Sequence, residues 1–223
     1  MPPTGFAAIK QSSVKDRVVE ALQTAMYTGK LLPGAALLEI QLAREFNVSQ
    51  TSVREALLQL EQLGLVKRIA NKGTFVTNLT PAQVAERIDL RMNLECMAGV
   101  QAAKYINQDD EKALLTLADE MVAATHGNEY YAAAHADLEF HRRMWLIARN
   151  ETLYQVLDQV AAPLFAFVSI VRSHLADDLQ KVILNSHRDI VIALVSGDSS
   201  AIRSKIESHF AGSYERFTRS PAS

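Results

Sequence analysis

The chain has 223 residues, 48% hydrophobic and 22% charged, which suits a globular protein with room for two domains. Its single cysteine, Cys96, excludes an internal disulfide, and no apolar run approaches the roughly 20 residues that span a bilayer, so no membrane partner is expected. The net charge of −2 splits into +3 over residues 1–78 (nine Lys/Arg, six Asp/Glu) and −5 over residues 79–223 (fourteen against nineteen), and all six histidines lie in the second part.

The opening "MPPTGFAAIK" lacks the basic start, long apolar stretch and cleavage site of a signal peptide, which with the lone cysteine points to the cytoplasm. "SVKDRVVEALQTAMYTGK" predicts a helix capped by Ser12 or Ser13, with Val14, Val18, Leu22 and Ala25 inward, ending near Gly29. "LLPGAALLE" reads as a turn with extended flanks, "IQLAREF" as a short helix and "NVS" as a tight turn. "QTSVREALLQLEQLG" is a helix with Val53, Ala56, Leu57 and Leu60 on one face, closed by Gly64. "LVKRI", "ANKG" and "TFVTN" then read as strand, turn, strand.

A linker is expected at about 77–80, because Thr80 suits an N-cap and Pro81 the first helical position. Six helices follow, at roughly 81–106, 109–126, 129–148, 151–172, 176–196 and 199–218. Pro163 is expected to kink the fourth of them. The first ten residues and the tail "SPAS" are expected to be mobile. The fold class is mainly α: an N-terminal winged helix-turn-helix with a small β-hairpin wing over residues 1–78, and a C-terminal all-α bundle of six helices over residues 79–223.

In such a front half, a short helix braces a second one whose N-terminal end enters the major groove of double-stranded DNA. That end offers Ser49, Gln50, Thr51, Ser52 and Arg54. Hydroxyls and helix N-terminal amides suit phosphate oxygens, whereas Gln50 suits adenine and Arg54 guanine. Lys67, Arg68 and Lys72 decorate the wing, where they can meet the backbone or the minor groove. The plain alternative is a solvated helix face beside an ordinary hairpin.

Residues 12–78 resemble the N-terminal domain of GntR-superfamily bacterial regulators. That pattern runs PG, L-x-E-x-x-LA, VS-R-T-P-VREAL, L-x-x-x-GLV and G-T-F-V, and here it reads "LLPGAALLEIQLAREFNVSQTSVREALLQLEQLGLVKRIANKGTFV". The resemblance implies an operator-binding role and carries onto Ser49, Thr51, Arg54, Glu55 and the wing glycine Gly73. Glu55 is expected to brace Arg54 or a neighbour rather than approach acidic DNA. Gln50 stands where the family usually has Arg and Ser52 where it usually has Pro, so the family's usual operator does not transfer. Because one winged helix reads a short half-site, a homodimer on a near-palindromic operator is expected.

In the second part, Asp137 and His141 are four residues apart, on a face shared with Met144, Trp145 and Ala148. His187 shares a face with Ile183, Leu184, Ile190, Val191 and Leu194, and His209 with Ile202, Ile206 and Phe210. His187 lies eleven residues before Asp198 and His209 eleven after, so in an antiparallel helical hairpin the two reach the same height. Three histidines and an aspartate suit a divalent metal, zinc first, with nickel, manganese or iron as alternatives. The alternative is four core residues, each with its own hydrogen-bond partner. His126 reads as a helix C-terminal cation, while His135 and His174 are not favoured as ligands.

This part resembles the FCD ligand-binding domain of FadR-type regulators, in its shorter VanR-like branch. The matching points are "RMNLE", "DLEFH", "ARNETL", "HRDIVIALVSGD" and "IESHF". The resemblance puts the family's metal positions on Asp137, His141, His187 and His209, and its motif arginine on Arg91. A guanidinium beside a metal suits a small organic carboxylate effector. For Arg91 the competing role is a salt bridge to Glu95, one turn on. The expected function is a cytoplasmic, dimeric, metal-dependent transcription regulator without enzymatic activity. Its rivals are a metal-dependent enzyme acting on a small organic acid, and a regulator with a purely structural metal and no small effector.

Overall fold

Ser13 starts the first helix. In the computed structural model, which describes residues 13–127, 129–172 and 177–218, the Ser13 hydroxyl accepts the Asp16 amide and the Asp16 carboxylate accepts the Ser13 amide. This capping box opens α1 (Val14–Tyr27). Ser12, the opening ten residues, the helix break at His174 and the "SPAS" tail lie outside the described residues, as do the side chains of Ile183 and Leu184. α1 buries Val18, Val19, Leu22 and Met26. Val14, expected inward, is 44% exposed as the first residue past the cap, and Ala25 is half-buried.

α2 (Glu39–Glu45) and α3 (Gln50–Gln62) meet at a turn in which Asn47 takes a left-handed φ of 52°. β2 (Val66–Ile69) and β3 (Gly73–Val76) pair antiparallel, Val66 opposite Val76. The wing is more than the expected hairpin. β1 (Ala36–Leu37) pairs with the other edge of β3, giving the order β1-β3-β2. Two residues are too few to show the alternation that marks a strand in sequence.

α4 (Pro81–Ala102) opens on a capping box between Thr80 and Gln83. It stops four residues before the expected 106, because the Tyr105 and Ile106 amides both turn back to the Ala102 carbonyl and Asn107 caps α5 (Gln108–His126). α6 (Tyr130–Ile147), α7 (Glu151–Arg172), α8 (Asp177–Ser196) and α9 (Ser199–Thr218) complete the bundle. α4 packs on α7 and α9, α5 on α6 and α8, and α8 on α9. α4 and α9 approach closely at Gly99, where an added Cβ would come within 2.7 Å of Ile206 and 2.9 Å of Ile202. Among the described residues no helix is long and apolar enough to cross a membrane.

α7 belongs to both cores. Ala161, Leu164 and Phe165 lie among the buried residues of the bundle, while Ala162 joins those of the winged half. Pro163 lies within α7 without ending it, and its ring removes the N–H that would bond the Gln159 carbonyl. Arg87 of α4 donates to that carbonyl and to Val160 O, each at 3.3 Å. On the other side, Pro163 rests on Gly64 at the end of α3, where a Cβ would meet the proline Cγ at 3.1 Å.

Candidate metal centre and nucleic-acid interface

α6 carries Asp137 and His141 one turn apart, and both are buried. α8 and α9 form an antiparallel hairpin turned at Gly197 (φ 72°), and its two inward imidazoles, His187 and His209, have centroids 4.5 Å apart. The His141 ring lies 5.4 Å from His187 and 5.2 Å from His209. Candidate ligand atoms from the four residues all lie within 4.8 Å of one another. Their neighbours on these faces, Met144, Trp145, Ala148, Ile190, Val191, Leu194, Ile202, Ile206 and Phe210, are buried as expected. His126 and His135 are exposed and stand apart from the cluster.

Two of the three outer ring nitrogens are held by residues for which the sequence pattern predicts no such role. His141 Nδ1 lies 2.7 Å from Glu95 Oε2, and His209 Nδ1 lies 2.8 Å from Ser186 Oγ. A carboxylate at Nδ1 fixes that nitrogen as the protonated one and leaves Nε2 with its lone pair facing inward. His141 Nε2 is buried, 3.4 Å from Asp137 Oδ1, and makes no hydrogen bond among the described residues. His187 Nε2 lies 3.1 Å from the same oxygen. Such convergence of two rings on one carboxylate oxygen, with the outer nitrogens of His141 and His209 anchored elsewhere, fits a set of imidazole and carboxylate ligands for a divalent ion.

The electrostatics agree. Burial, then the neighbouring His187 and His141 rings, hold His209 well below its ordinary value, so it is neutral and able to ligate. Burial also pulls His141 down, but the Glu95 carboxylate overrides it and raises the ring's basicity, which strengthens it as a donor. Glu95 is itself fully buried. Desolvation pushes its carboxyl up, but the charges of Arg91 and His141 keep it below the usual carboxylate range.

Arg91 is 1% exposed. Its Nε donates to Glu95 Oε1 at 2.6 Å and its Nη1 to the Tyr214 hydroxyl at 2.6 Å. The rings of Phe165 and Phe210 face the guanidinium, 4.5 and 5.0 Å from Cζ. The salt bridge weighed against an effector role is therefore formed, and Glu95 joins Arg91 to His141 in one chain. Nη2 is buried and has no hydrogen-bond partner among the described residues.

On the winged half, Ser49 caps α3, its hydroxyl accepting the Ser52 amide at 3.1 Å and lying 2.9 Å from the Ser52 hydroxyl. A proline at 52 would have no amide to give, so this departure from the usual motif closes the cap locally. Gln50, Thr51, Arg54, Lys67, Arg68, Lys72 and Gly73 are exposed, and Ser52 is half-buried. The Arg68 amide donates to Glu61, tying the wing to α3. Arg54 is braced, but by Glu39 rather than the expected Glu55: its Nη2 lies 2.8 Å and its Nε 3.1 Å from Glu39 Oε2. Adjacent helical side chains diverge by about 100°. The partner therefore comes from α2 across the turn.

Residues 14–76 match the family described as bacterial regulatory proteins, gntR family, and residues 86–212 match the FCD domain. The uncharacterized HTH-type transcriptional regulator YdhC of Bacillus subtilis (strain 168) is 30% identical over 193 residues, 85% of this chain and 84% of that protein. A probable D-xylose utilization operon transcriptional repressor of Paenarthrobacter nicotinovorans is 28% identical, over 91% of this chain and 88% of its own. Among solved structures, E. coli McbR/YncC superposes with a TM-score of 0.78 at 21% identity, over 93% of this chain and all of that one, which speaks for the fold.

Proposed function

The chain belongs to the GntR family of bacterial regulatory proteins and carries an FCD domain, and from that premise we propose that it is a metal-dependent regulator whose operator binding answers to a small organic carboxylate. The matched families and relatives are transcriptional regulators, not enzymes. Residues 1–78 bind the operator, through the α3 end (Ser49, Gln50, Thr51, Ser52 and Arg54) and the wing (Lys67, Arg68, Lys72 and Gly73). Residues 79–223 bind the effector and hold two chains together as a homodimer, in the cytoplasm, where operators lie.

The observation that carries the reading is the buried convergence of Asp137, His141, His187 and His209 with Glu95 and Ser186 behind two of the rings. Four buried side chains of this kind are costly unless each is satisfied, and a shared divalent ion, zinc foremost, satisfies them together. When bound, such an ion supplies a Lewis acid for a carboxylate oxygen. Arg91 deepens the preference for an anion, since a buried cation with an N–H to spare gains from a second negative partner. A carboxylate that touched both would contact α4, α6, α8 and α9 at once, and it would shift DNA binding only by its differential affinity for two arrangements of the dimer.

The Arg91–Glu95 bond favours a second reading, in which the ion is structural and Arg91 serves only to anchor Glu95. Elemental analysis, calorimetry with a panel of small carboxylic acids and operator binding, on wild type and on the double variant His187→Ala, His209→Ala, decide between them. The proposal expects the variant to lose metal and effector binding while still recognising operator DNA. Full metal occupancy in the variant refutes the ligand set, and lost metal with a normal effector response supports the structural reading.

A further inference from the structure

Glu39 is a carboxylate on a surface meant for a polyanion, and that placement calls for a reason. It is the first residue of α2, and its side chain is 27% exposed beside a cleft whose lining includes Leu38, Ile40, Arg44, Glu45, Gln50 and Arg54. An acid there weakens attraction to phosphates. A solvent-facing ion pair adds little to stability in return.

The geometry of the pair supplies the reason. A guanidinium carries five N–H donors in one plane. Glu39 takes the side edge: Arg54 Nε lies 3.1 and 3.4 Å from its two oxygens, and Nη2 lies 2.8 Å from Oε2. One hydrogen on Nη2 and both on Nη1 remain, with no partner among the described residues, on a side chain 57% exposed. They form the end edge of the plane, a two-pronged donor of the spacing that matches N7 and O6 of guanine. Fixing one edge removes the torsional freedom of the other, so the fork is aimed before DNA arrives.

We propose that Glu39 is a positioning residue for base recognition: by gripping the Nε/Nη2 edge of Arg54 it presents the Nη1/Nη2 edge to a guanine in the major groove. This rests on the reading of Arg54 as a base-edge contact. It gives the acidic residue a share of the specificity, although it touches no base.

The test uses the full chain and a binding site obtained by selection from random duplexes. Wild type, Arg54→Ala, Glu39→Ala, Glu39→Gln and the double variant Glu39→Ala, Arg54→Ala are compared for base preference at each position and for affinity on selected and random DNA. Arg54→Ala should erase a guanine preference at one position of each half-site. Glu39→Ala should weaken the preference at that same position about tenfold, on the scale of one lost bidentate contact. Other positions should be untouched, and affinity for random duplex should rise as a negative charge leaves the surface. Glu39→Gln keeps one oxygen acceptor and should fall between. The double variant should match Arg54→Ala in preference.

An unchanged preference at that position in both Glu39 variants, with affinity rising equally on both DNAs, overturns the proposal. If Arg54→Ala instead lowers affinity alike on selected and random DNA with no change in preference, Arg54 is a phosphate contact, and the base-reading premise has failed rather than the brace. Thermal melts accompany each variant. Should Glu39→Ala melt early, the isosteric Gln variant carries the same comparison, and an unchanged preference there overturns the proposal equally.

Discussion

The two halves of the molecule hold their chemistry in opposite surroundings. On the winged half, all the candidate contacts but Ser52 stand in solvent, Arg54 among them at 57% exposure, with one carboxylate for support. In the bundle, Asp137, His141, His187 and His209 are all at least 96% buried. A charged group in water is cheap to place, and its surroundings need specify little beyond direction. A charged group in a core must be answered on every side. His141 thus brings in Glu95, Glu95 brings in Arg91, and Arg91 brings in Tyr214. Depth therefore multiplies the residues committed to a site, and it should multiply the damage of removing one.

The sharpest way to break this contrast is to remove one carboxylate from each half. Glu95→Ala strands a buried guanidinium and should cost about 3–5 kcal/mol. Glu39→Ala removes the partner of an exposed guanidinium, which water can solvate in its place, and should cost far less. Urea unfolding followed by the fluorescence of Trp145, the single tryptophan and a buried residue of the bundle, measures the first; far-UV dichroism follows both. Equal costs would end the argument from depth.

A smaller effect is expected one layer out. Ser186→Ala removes the partner of His209 Nδ1 and should weaken metal affinity by roughly 10–100-fold with the fold intact. Competition against a chelator reads this, and unchanged affinity would show that the hydroxyl does not orient the ring. Smaller again is Gly64→Ala. A left-handed φ of 70° costs a side chain about 1–2 kcal/mol, and the new methyl meets Pro163. The midpoint of thermal unfolding should fall; a rise would mean that the contact is slack.

The smallest effect lies at the exposed start of α1. Hydrogen bonds from the Ser13 hydroxyl and amide hold the Asp16 carboxyl below its ordinary value. The folded value is the lower one, so this support is present above the ordinary carboxylate range and is lost as pH falls through the depressed value. Amide shifts in the first turn of α1 should follow that titration without a matching step in global stability. A step in the global midpoint there would show the cap to matter more than an exposed group should.

The contrast also explains what the sequence disclosed. The winged half was legible as an order of short elements with turn residues between them, because each of its parts is local. The bundle's metal candidates were legible as a pattern of faces: an i, i+4 pair and two histidines equidistant from a turn. What escaped was contact across the chain. Glu95 was read only against Arg91, one turn away, because its bond to His141 spans 46 residues and leaves no period. Ser186 faces a ring 23 residues on, and Glu39 meets Arg54 across 15. Local rules pointed to Glu55, the neighbour in sequence, where the fold supplies Glu39. The excess length given to α4 has the same root, since the apolar run through Ile106 continues a helical pattern that the backbone abandons at Ala102.

Gly64 answers two demands with one missing atom. The left-handed turn that stops α3 strains any side chain, and the same bareness makes the seat on which Pro163 of the bundle rests. A change at the stop also changes the seat, and a larger residue at 163 would press on the C-terminal end of α3. The joint between the halves is thus a permissive glycine against a rigid proline ring, two residues whose substitutions should be read together.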